Sequence, residues 1–346
     1  MKNKDILLTI AIANYNNATL IGRCLDSIVN QLTYGLEILV VDDGSTDCSL
    51  EIVNKMASRF AAIKIISQQN AGVSTARNQA ISKASGKYIT FVDSDDEMAP
   101  GGIDAMCRVL REEHPDILVT DYIVCHNDEM QPQHSLNCPS GRYGYESINS
   151  ILSCCLEGPG FCKSDTAKLS GSVWDKAYSV EFLRSIGLVF NPELRHGEDV
   201  VFNVRAFKAA SSMYYLSLST YHYYINSDSV THTVNPNLLS DIELYVRDIK
   251  KQIIEIDDAC LFNDLCFNII NQIEQACVLG GYSENGRSFA ASLKAIAARD
   301  LFAEAISKAF PRSLIRIKEN IKLALYKIHA YRFLGIMFEM KNSGEN

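Results

Sequence analysis

The stretch Lys87–Asp96, KYITFVDSDD, sets a run of strand-forming residues, apolar on both faces apart from Thr90, directly ahead of four polar ones. A strand that is apolar throughout belongs in a sheet covered on both sides. In an open sheet of that kind ligands bind beyond the carboxyl ends of the strands, which is where Asp93, Ser94, Asp95 and Asp96 fall. Asp93 and Asp95 flank one serine, so their carboxylates repel unless a cation or a proton lies between them. Carboxylate oxygens suit Mg²⁺ or Mn²⁺, ions that one or two protein carboxylates hold together with substrate phosphates. The pattern points to a metal and a phosphate-bearing ligand, but Asp-x-Asp also occurs in ordinary turns. The neighbouring loops decide between the two.

Three β-α units precede this strand. ILLTIAIA at 6–13 is a near-continuous apolar run, followed by Ile21, Leu25, Ile28 and Leu32 at helical spacing. LEILVVD at 36–42 is a second strand; Ile52, Met56 and Phe60 then share one helical face, with Ser45, Thr46 and Asp47 placed to cap it. IKIIS at 63–67 and the Ala-rich 74–84 form the third unit. Strands alternating with helices predict an α/β fold with a doubly wound, mostly parallel sheet. Each strand ends in a polar loop: Ala13–Asn17, Asp42–Ser45, Asn70–Ser74 and Asp93–Asp96. Any one of these is an acceptable turn, but four successive loops converge on one rim.

The 346 residues are 47% apolar and 21% charged, enough for a sizeable core in one large or two modest domains. A net charge of −8 excludes a nucleic-acid binder as the overall class. The charge is uneven: eight Lys and Arg against Glu319 and Glu339 between Lys308 and Lys341 give a local +6, leaving −14 elsewhere. The opening MKNKDILLTIAIANYNN lacks a small-residue cleavage site and reads as the first strand, not a signal peptide. No apolar run reaches the ~18–20 residues of a membrane span. Eleven Cys without a C-x-x-C pair predict reduced thiols in a cytoplasm.

From about 123 to 172 the pattern weakens around Cys125, His126, His134, Pro139, Gly158, Pro159 and Gly160, predicting loops and short helices of an acceptor-side region. YLSLSTYHYYI at 215–225 reads as the strand that closes the first domain. From Pro236 onward helical periodicity dominates, including a long stretch from Ser313 to Met340. There Ile317, Ile321, Leu325 and Ile328 form a stripe with Arg316, Lys318, Lys322, Lys327 and Arg332 around it. Such a helix either lies on an anionic membrane surface or packs on the protein with its charges solvated.

In order along the chain, TIAIANYNN, EILVVDDGSTD, NAGVSTARNQAI and GKYITFVDSDD resemble the GT-A nucleotide-sugar domain of bacterial family-2 glycosyltransferases. Val173–Lys176, His196–Phe202, Tyr221–Tyr224 and Ser229–Thr231 extend the resemblance over roughly residues 5–232. It implies a metal-dependent inverting glycosyltransferase that moves a sugar from a nucleotide-diphosphate donor to a hydroxyl of a glycan or lipid-linked glycan, in surface polysaccharide synthesis. Residues 1–100 would bind the nucleotide-sugar, 101–232 would supply the acceptor side and catalytic base, and 233–346 would be a helical C-terminal region. Residues 313–340 would touch the inner face of the cytoplasmic membrane, keeping the protein cytoplasmic or peripheral.

By the resemblance, the Ala13 backbone and Tyr15 line the nucleotide pocket, and Asp43 accepts a hydrogen bond from uracil, implying a UDP donor. Asn70 and Arg77 contact the donor; the fork of Arg77 suits diphosphate oxygens, with an ordinary salt bridge as the alternative. Asp93, with Ser94 beside it, faces the nucleoside. Asp95 holds Mn²⁺ or Mg²⁺, and His222 is a further ligand or else a hydrogen-bonded structural group. Asp199 is the catalytic base: an Asp of ordinary pKa is ionised at pH 7 and takes the acceptor proton. Glu198 supports it, or both are first-turn acids favoured by the helix dipole. Trp174 stacks on an acceptor sugar or fills the core, and Lys176 positions donor or acceptor. A nucleotidyltransferase lacks support, since no G-x-G-x-x-G follows the first strand. A non-catalytic sugar-nucleotide or glycan-binding module is opposed by Asp93, Asp95 and Asp199 occurring together. Without membrane spans or a Q-x-x-R-W motif, single addition is expected over processive synthesis.

Overall fold

The computed structural model describes residues 6–127, 129–136, 138–144, 151–152, 155–156, 171–225, 234–254, 256, 258–280, 288–311 and 317–343, with side chains to 338. Gly158–Gly160, Ser229–Thr231 and Arg316, singled out above, lie outside these residues. The chain divides into two compact units, Met1–Asn226 and Ser227–Asn346.

In the first unit the predicted alternation is realised as β1 (Leu8–Asn14), α1 (Ile21–Val29), β2 (Leu36–Asp42), α2 (Ser49–Arg59), β3 (Ile63–Ser67), α3 (Val73–Lys83) and β4 (Tyr88–Asp93). These strands pair in parallel in the order β3-β2-β1-β4. β2 is buried along its whole length and β1 at all but Ala13, as their unbroken apolar runs require. The chain steps outward from β1 to β3 and then returns to the other side of β1, so a crevice opens at the carboxyl ends of β1 and β4. There Ala13 pairs with Asp93 and Asn14 with Asp42. Gly44 (φ +76°) turns the chain past β2; a Cβ there would lie 2.9 Å from the Asn70 backbone nitrogen, so only glycine fits. α2 starts later than the Ser45–Asp47 caps predict. Ser45 is engaged by Asp42, and Asp47 instead accepts from the Ser49 N–H at 2.9 Å.

Beyond β4 come β5 (Glu97–Met98), α4 (Gly102–Glu112), β6 (Ile117–His126), β7 (Glu129–Gln133), β8 (Gly141–Gly144), β9 (Lys176–Ser179), α5 (Val180–Ser185), α6 (Glu198–Ala209) and β10 (Ser212–Tyr224). The loops and short helices predicted after residue 123 are in part strand. β7 folds back antiparallel on Tyr122–His126, and β8 pairs with the start of β10. Both are short and polar, and β7 contains Pro132, so no alternation announces them. β9 lies antiparallel between β4 and β6, and β10 runs parallel to β6. Six strands therefore point one way, which keeps the sheet mostly parallel.

The second unit holds the helices Leu238–Ile254, Ala259–Leu279, Phe289–Ala297, Asp300–Lys308, Ile317–Lys327 and Tyr331–Ser343. Ala259–Leu279, capped by the Asp258 side chain, packs against the three helices nearest it in sequence. The stretch running to Met340 is two helices, not one. His329 is left-handed (φ +56°), and bonds from its N–H to the Tyr326 carbonyl and from the Ala330 N–H to the Leu325 carbonyl form a Schellman stop. Among the described residues no helix is long and apolar enough to cross a membrane.

Candidate active site

Three elements distant in sequence meet at the crevice through one side chain. Arg77 lies on the buried face of α3, its side chain only 6% exposed. One guanidinium nitrogen donates to Asp93 Oδ1 at 2.9 Å; another donates to Asp199 Oδ1 at 2.6 Å and lies 3.6 Å from Glu198 Oε1. The Phe190 ring sits 5.4 Å from the guanidinium. Gly197, left-handed (φ +71°) at the N-cap of α6, sets Glu198 and Asp199 in the first helical turn, where the dipole favours acids. The Asp93 and Asp199 side chains keep 33% and 20% exposure, so a ligand reaches them from solvent.

Asp199 does not keep the ordinary pKa that the sequence suggests. Burial pushes its carboxyl up to about 7; Arg77 opposes the shift, while the charges of Glu198 and Asp93 add to it. Burial disfavours the charge on Arg77, but Asp199, Asp93 and Glu198 outweigh it and hold the guanidinium protonated.

The Asp-Ser-Asp turn is closed by the Asp96 N–H donating to the Asp93 carbonyl at 3.0 Å. Ser94 accepts from the Asn17 amide at 2.9 Å. Asp95 is partly exposed; its carbonyl accepts from Arg23 at 2.5 Å, and Arg23 also pairs with Glu97 and covers the Tyr224 ring. Asp96, given no role from sequence, is the buried member. It accepts from the Tyr221 hydroxyl and the Tyr224 N–H, both at 2.8 Å, while the same hydroxyl accepts from the Asp93 N–H at 3.1 Å. Burial and the nearby Asp93 charge push Asp96 up to about 8. No local pattern could have found this: Asp96 is the third acid of the turn, and the tyrosine that satisfies it lies 125 positions away.

Asp93 and Asp95 are two partly exposed carboxylates on one turn, and Mg²⁺ or Mn²⁺ takes one or two such hard oxygen donors when phosphates and water fill its other positions. Among the described residues no group of three or more His, Cys, Asp or Glu side chains forms a metal cage. His222 lies opposite Glu97 in the β10–β5 pairing, half-buried, and burial pushes its pKa down.

On the other side of the crevice Asp43 is buried and ties two loops together. It accepts from the Gln68 side chain (2.7 Å), the Ala71 N–H (2.9 Å) and the Gly72 N–H (2.8 Å), leaving about one of a carboxylate's four acceptor positions. Tyr15 is 50% exposed, and Asn70 is exposed beside Gly72. Asn14 Oδ1 and Ser74 Oγ are buried at this rim without a hydrogen-bond partner among the described residues. Trp174 and Lys176 are not at an open surface. Trp174 is 8% exposed and fills the core, stacked on Tyr221 (4.7 Å) and Tyr223 (5.4 Å) with Tyr122 against its edge. The Lys176 ammonium is sealed inside, donating to Asp175 Oδ1 (2.6 Å) and the Ser172 carbonyl (2.7 Å).

The family model of glycosyl transferase family 2 matches residues 9–163, which include all four rim loops. EpsH of Bacillus subtilis (strain 168), a protein named for glycosyltransferase activity, is 31% identical over 241 residues, 69% of this chain and 67% of EpsH. The hyaluronan synthase of Pasteurella multocida is 41% identical over 102 residues, 30% of this chain and 10% of that protein. The crystal structure of S. aureus TarS 1-349 in complex with UDP-GlcNAc shares the fold with a TM-score of 0.66 at 20% identity, covering 98% of this chain and 92% of that one. On the strength of the EpsH likeness and the family model lying over the rim, this chain belongs to glycosyl transferase family 2 and is a glycosyltransferase of the GT-A fold.

Proposed function

We propose that the enzyme transfers a sugar from a UDP-sugar, with Mn²⁺ or Mg²⁺, to a hydroxyl of a glycan or lipid-linked glycan, inverting the anomeric configuration. The observation that carries this reading is Arg77, bonded at once to Asp93 at the end of β4 and to Asp199 on α6. One cation thus spans the donor side and the base side of a single crevice. The half-exposed Tyr15 offers a face to the nucleobase, and the last acceptor position of Asp43 suits the ring N–H of uracil. The Ala13 backbone and Asn70 flank that pocket, with Asp93 and Ser94 on the nucleoside side. Arg77 exchanges carboxylate partners for diphosphate oxygens when the donor enters, since both suit its fork.

Asp95 is the residue assigned to the metal, with His222 a second candidate. A divalent ion bound there with the diphosphate offsets the charge that grows on the leaving nucleotide. Asp199, ionised, accepts the proton of the acceptor hydroxyl as its oxygen bonds to the anomeric carbon and the bond to the nucleotide breaks on the opposite face. Burial, with the Glu198 charge adding to it, makes the Asp199 carboxyl more basic than a free aspartate. Residues 1–232 carry the donor, acceptor and base functions, and 233–346 the helical region, whose residues 313–340 touch the inner face of the cytoplasmic membrane. The likeness to the Pasteurella hyaluronan synthase over 102 residues supports a place in polysaccharide synthesis. Nucleotide-sugars of uridine, guanosine and thymidine are to be screened with Mn²⁺ and with a chelator, reading donor hydrolysis and thermal stabilisation. Metal-dependent hydrolysis confined to UDP-sugars is expected; stabilisation by GDP-sugars alone, or turnover indifferent to chelator, overturns the donor or the metal assignment.

A further inference from the structure

Residues 317–338 present apolar side chains that stay exposed among the described residues. In Ile317–Lys327 the packed side chains are Leu323 and Tyr326. Ile317, Ile321 and Ile328 lie within about 40° of one line at ~100° per residue, on the opposite side of the helix, and are 62%, 46% and 70% exposed. This helix therefore has two apolar faces, of which one packs. Exposed Lys318 and Lys327 flank the free one. The next helix repeats the arrangement: Tyr331 and Leu334 pack inward, while Phe333, Ile336 and Met337 are 65%, 51% and 39% exposed beside exposed Arg332. Exposed apolar side chains on both helices, flanked by basic ones, mark an interaction site.

Lys327 also borders a cleft of about 590 Å³. Lys294, Lys327 and His329 lie in its wall, Lys327 donating to the Ala309 carbonyl at 2.6 Å and His329 Nδ1 paired with the Tyr331 hydroxyl at 3.1 Å, and none of its lining residues is acidic. Tyr326 lines it as well; it is fully buried, and its hydroxyl has no partner among the described residues. Much of the remaining wall is alanine and isoleucine. A cleft with basic groups and an apolar wall, in the same pair of helices as the exposed apolar side chains, suits a phosphate attached to a hydrophobe.

Resting on the membrane contact proposed above, we infer that the cleft lined by Lys294, Lys327 and His329 binds the phosphate headgroup of an anionic lipid while the Ile321–Phe333 ridge enters the bilayer interface. A second copy of the chain fits less well. A self-complementary contact on this face would set Lys318, Lys327 and Arg332 against like charges, whereas an anionic bilayer pairs them.

The full chain is to be floated with phosphatidylcholine vesicles and with vesicles that also contain phosphatidylglycerol. Binding to the second alone is expected. Lys294→Gln should weaken it about fivefold, the factor that ~1 kcal/mol per basic side chain near an anionic surface gives. Ile321→Glu and Phe333→Glu should each weaken it at least about tenfold through lost apolar burial. UDP-sugar stabilisation of these variants equal to that of the parent shows that they fold. Equal binding to neutral vesicles, or unchanged binding by both Glu variants, overturns the inference. So does displacement from vesicles by inorganic phosphate at constant ionic strength, which would make the cleft a free-phosphate site. A dimer dissociated by Ile321→Glu, with no vesicle binding, also overturns it. Absence of UDP-sugar hydrolysis in the parent sinks the donor and metal assignment while leaving the vesicle result readable.

Discussion

Arg77 and Lys176 are both buried cations beside carboxylates in the first unit, and their surroundings differ in one respect that separates structure from chemistry. Lys176 and Asp175 are each 0% exposed, and the pair is closed by internal partners: Asp175 accepts from Ser135 and Ser172, and Lys176 donates to the Ser172 carbonyl. One positive charge meets one negative charge. At the crevice, Arg77 faces Asp93, Glu198 and Asp199, three potential negative charges against one positive, and all three acids remain partly open to solvent. A proton on Asp199, whose pKa burial raises and the Glu198 and Asp93 charges raise further, relieves the surplus, as does a ligand that enters. A balanced pair without access to solvent holds strands together; an unbalanced set with access is built to exchange partners.

The comparison is broken most directly at Asp199. Asp199→Asn keeps the shape but removes the proton acceptor, and kcat should fall about 10²–10⁴-fold, with the melting temperature and donor-induced stabilisation near parental values. Transfer at the parent's rate would remove Asp199 from the mechanism. Lys176→Met should do the reverse. It leaves Asp175 buried and unpaired, which costs ~3–5 kcal/mol in urea unfolding, and replacing both members with apolar residues should recover much of that loss. A single variant that unfolds at the parent's midpoint would show that the sealed pair contributes nothing.

The same contrast explains what could be read in the sequence. β1 to β4 and their rim loops are built from neighbours in sequence, so apolar runs and polar ends mark them directly. Arg77, Asp93 and Asp199 were nameable because each lies in a local motif, yet their meeting over 122 positions was not. Asp96 carried no signal because its partner Tyr221 comes from a strand that pairs far along the chain. Trp174 and Lys176 sit in a motif that looked chemical, and only the packing of Tyr221, Tyr223 and Asp175 around them shows why they are internal. The edge strands β7 and β8 were hidden by their short, polar sequences and Pro132. In the C-terminal helices the periodicity was legible, but not that one apolar face stays uncovered.

Tyr221 joins the two regions, with Trp174 stacked on its ring and its hydroxyl between Asp96 and the Asp93 N–H. Tyr221→Phe keeps the stack and leaves two buried polar groups short of a partner, so a loss of ~1–3 kcal/mol in stability is expected. Because the Asp93 backbone loses its anchor, the donor KM should rise more than kcat falls. A change in kcat alone would separate Tyr221 from the donor side.

Glu198→Gln should have the smallest effect and is the sharpest test of charge surplus. Burial is the main reason Asp199 titrates near 7, and the Glu198 charge adds to it. Removing that charge lowers the pKa of Asp199, so the ionised, proton-accepting form persists to lower pH. The acid limb of kcat/KM, half-maximal near 7 in the parent, should move down by up to about one unit, with the plateau rate little changed. The stability sign follows from the same proton. The native state holds it more tightly than the unfolded chain, so this carboxyl weakens the fold as pH rises from about 4 to about 7. Glu198→Gln narrows that window and should make the protein relatively more stable at pH 7 than at pH 4, compared with the parent. An acid limb that stays in place would mean that Glu198 is neutral at the rim, and that the three acids around Arg77 never act as a surplus.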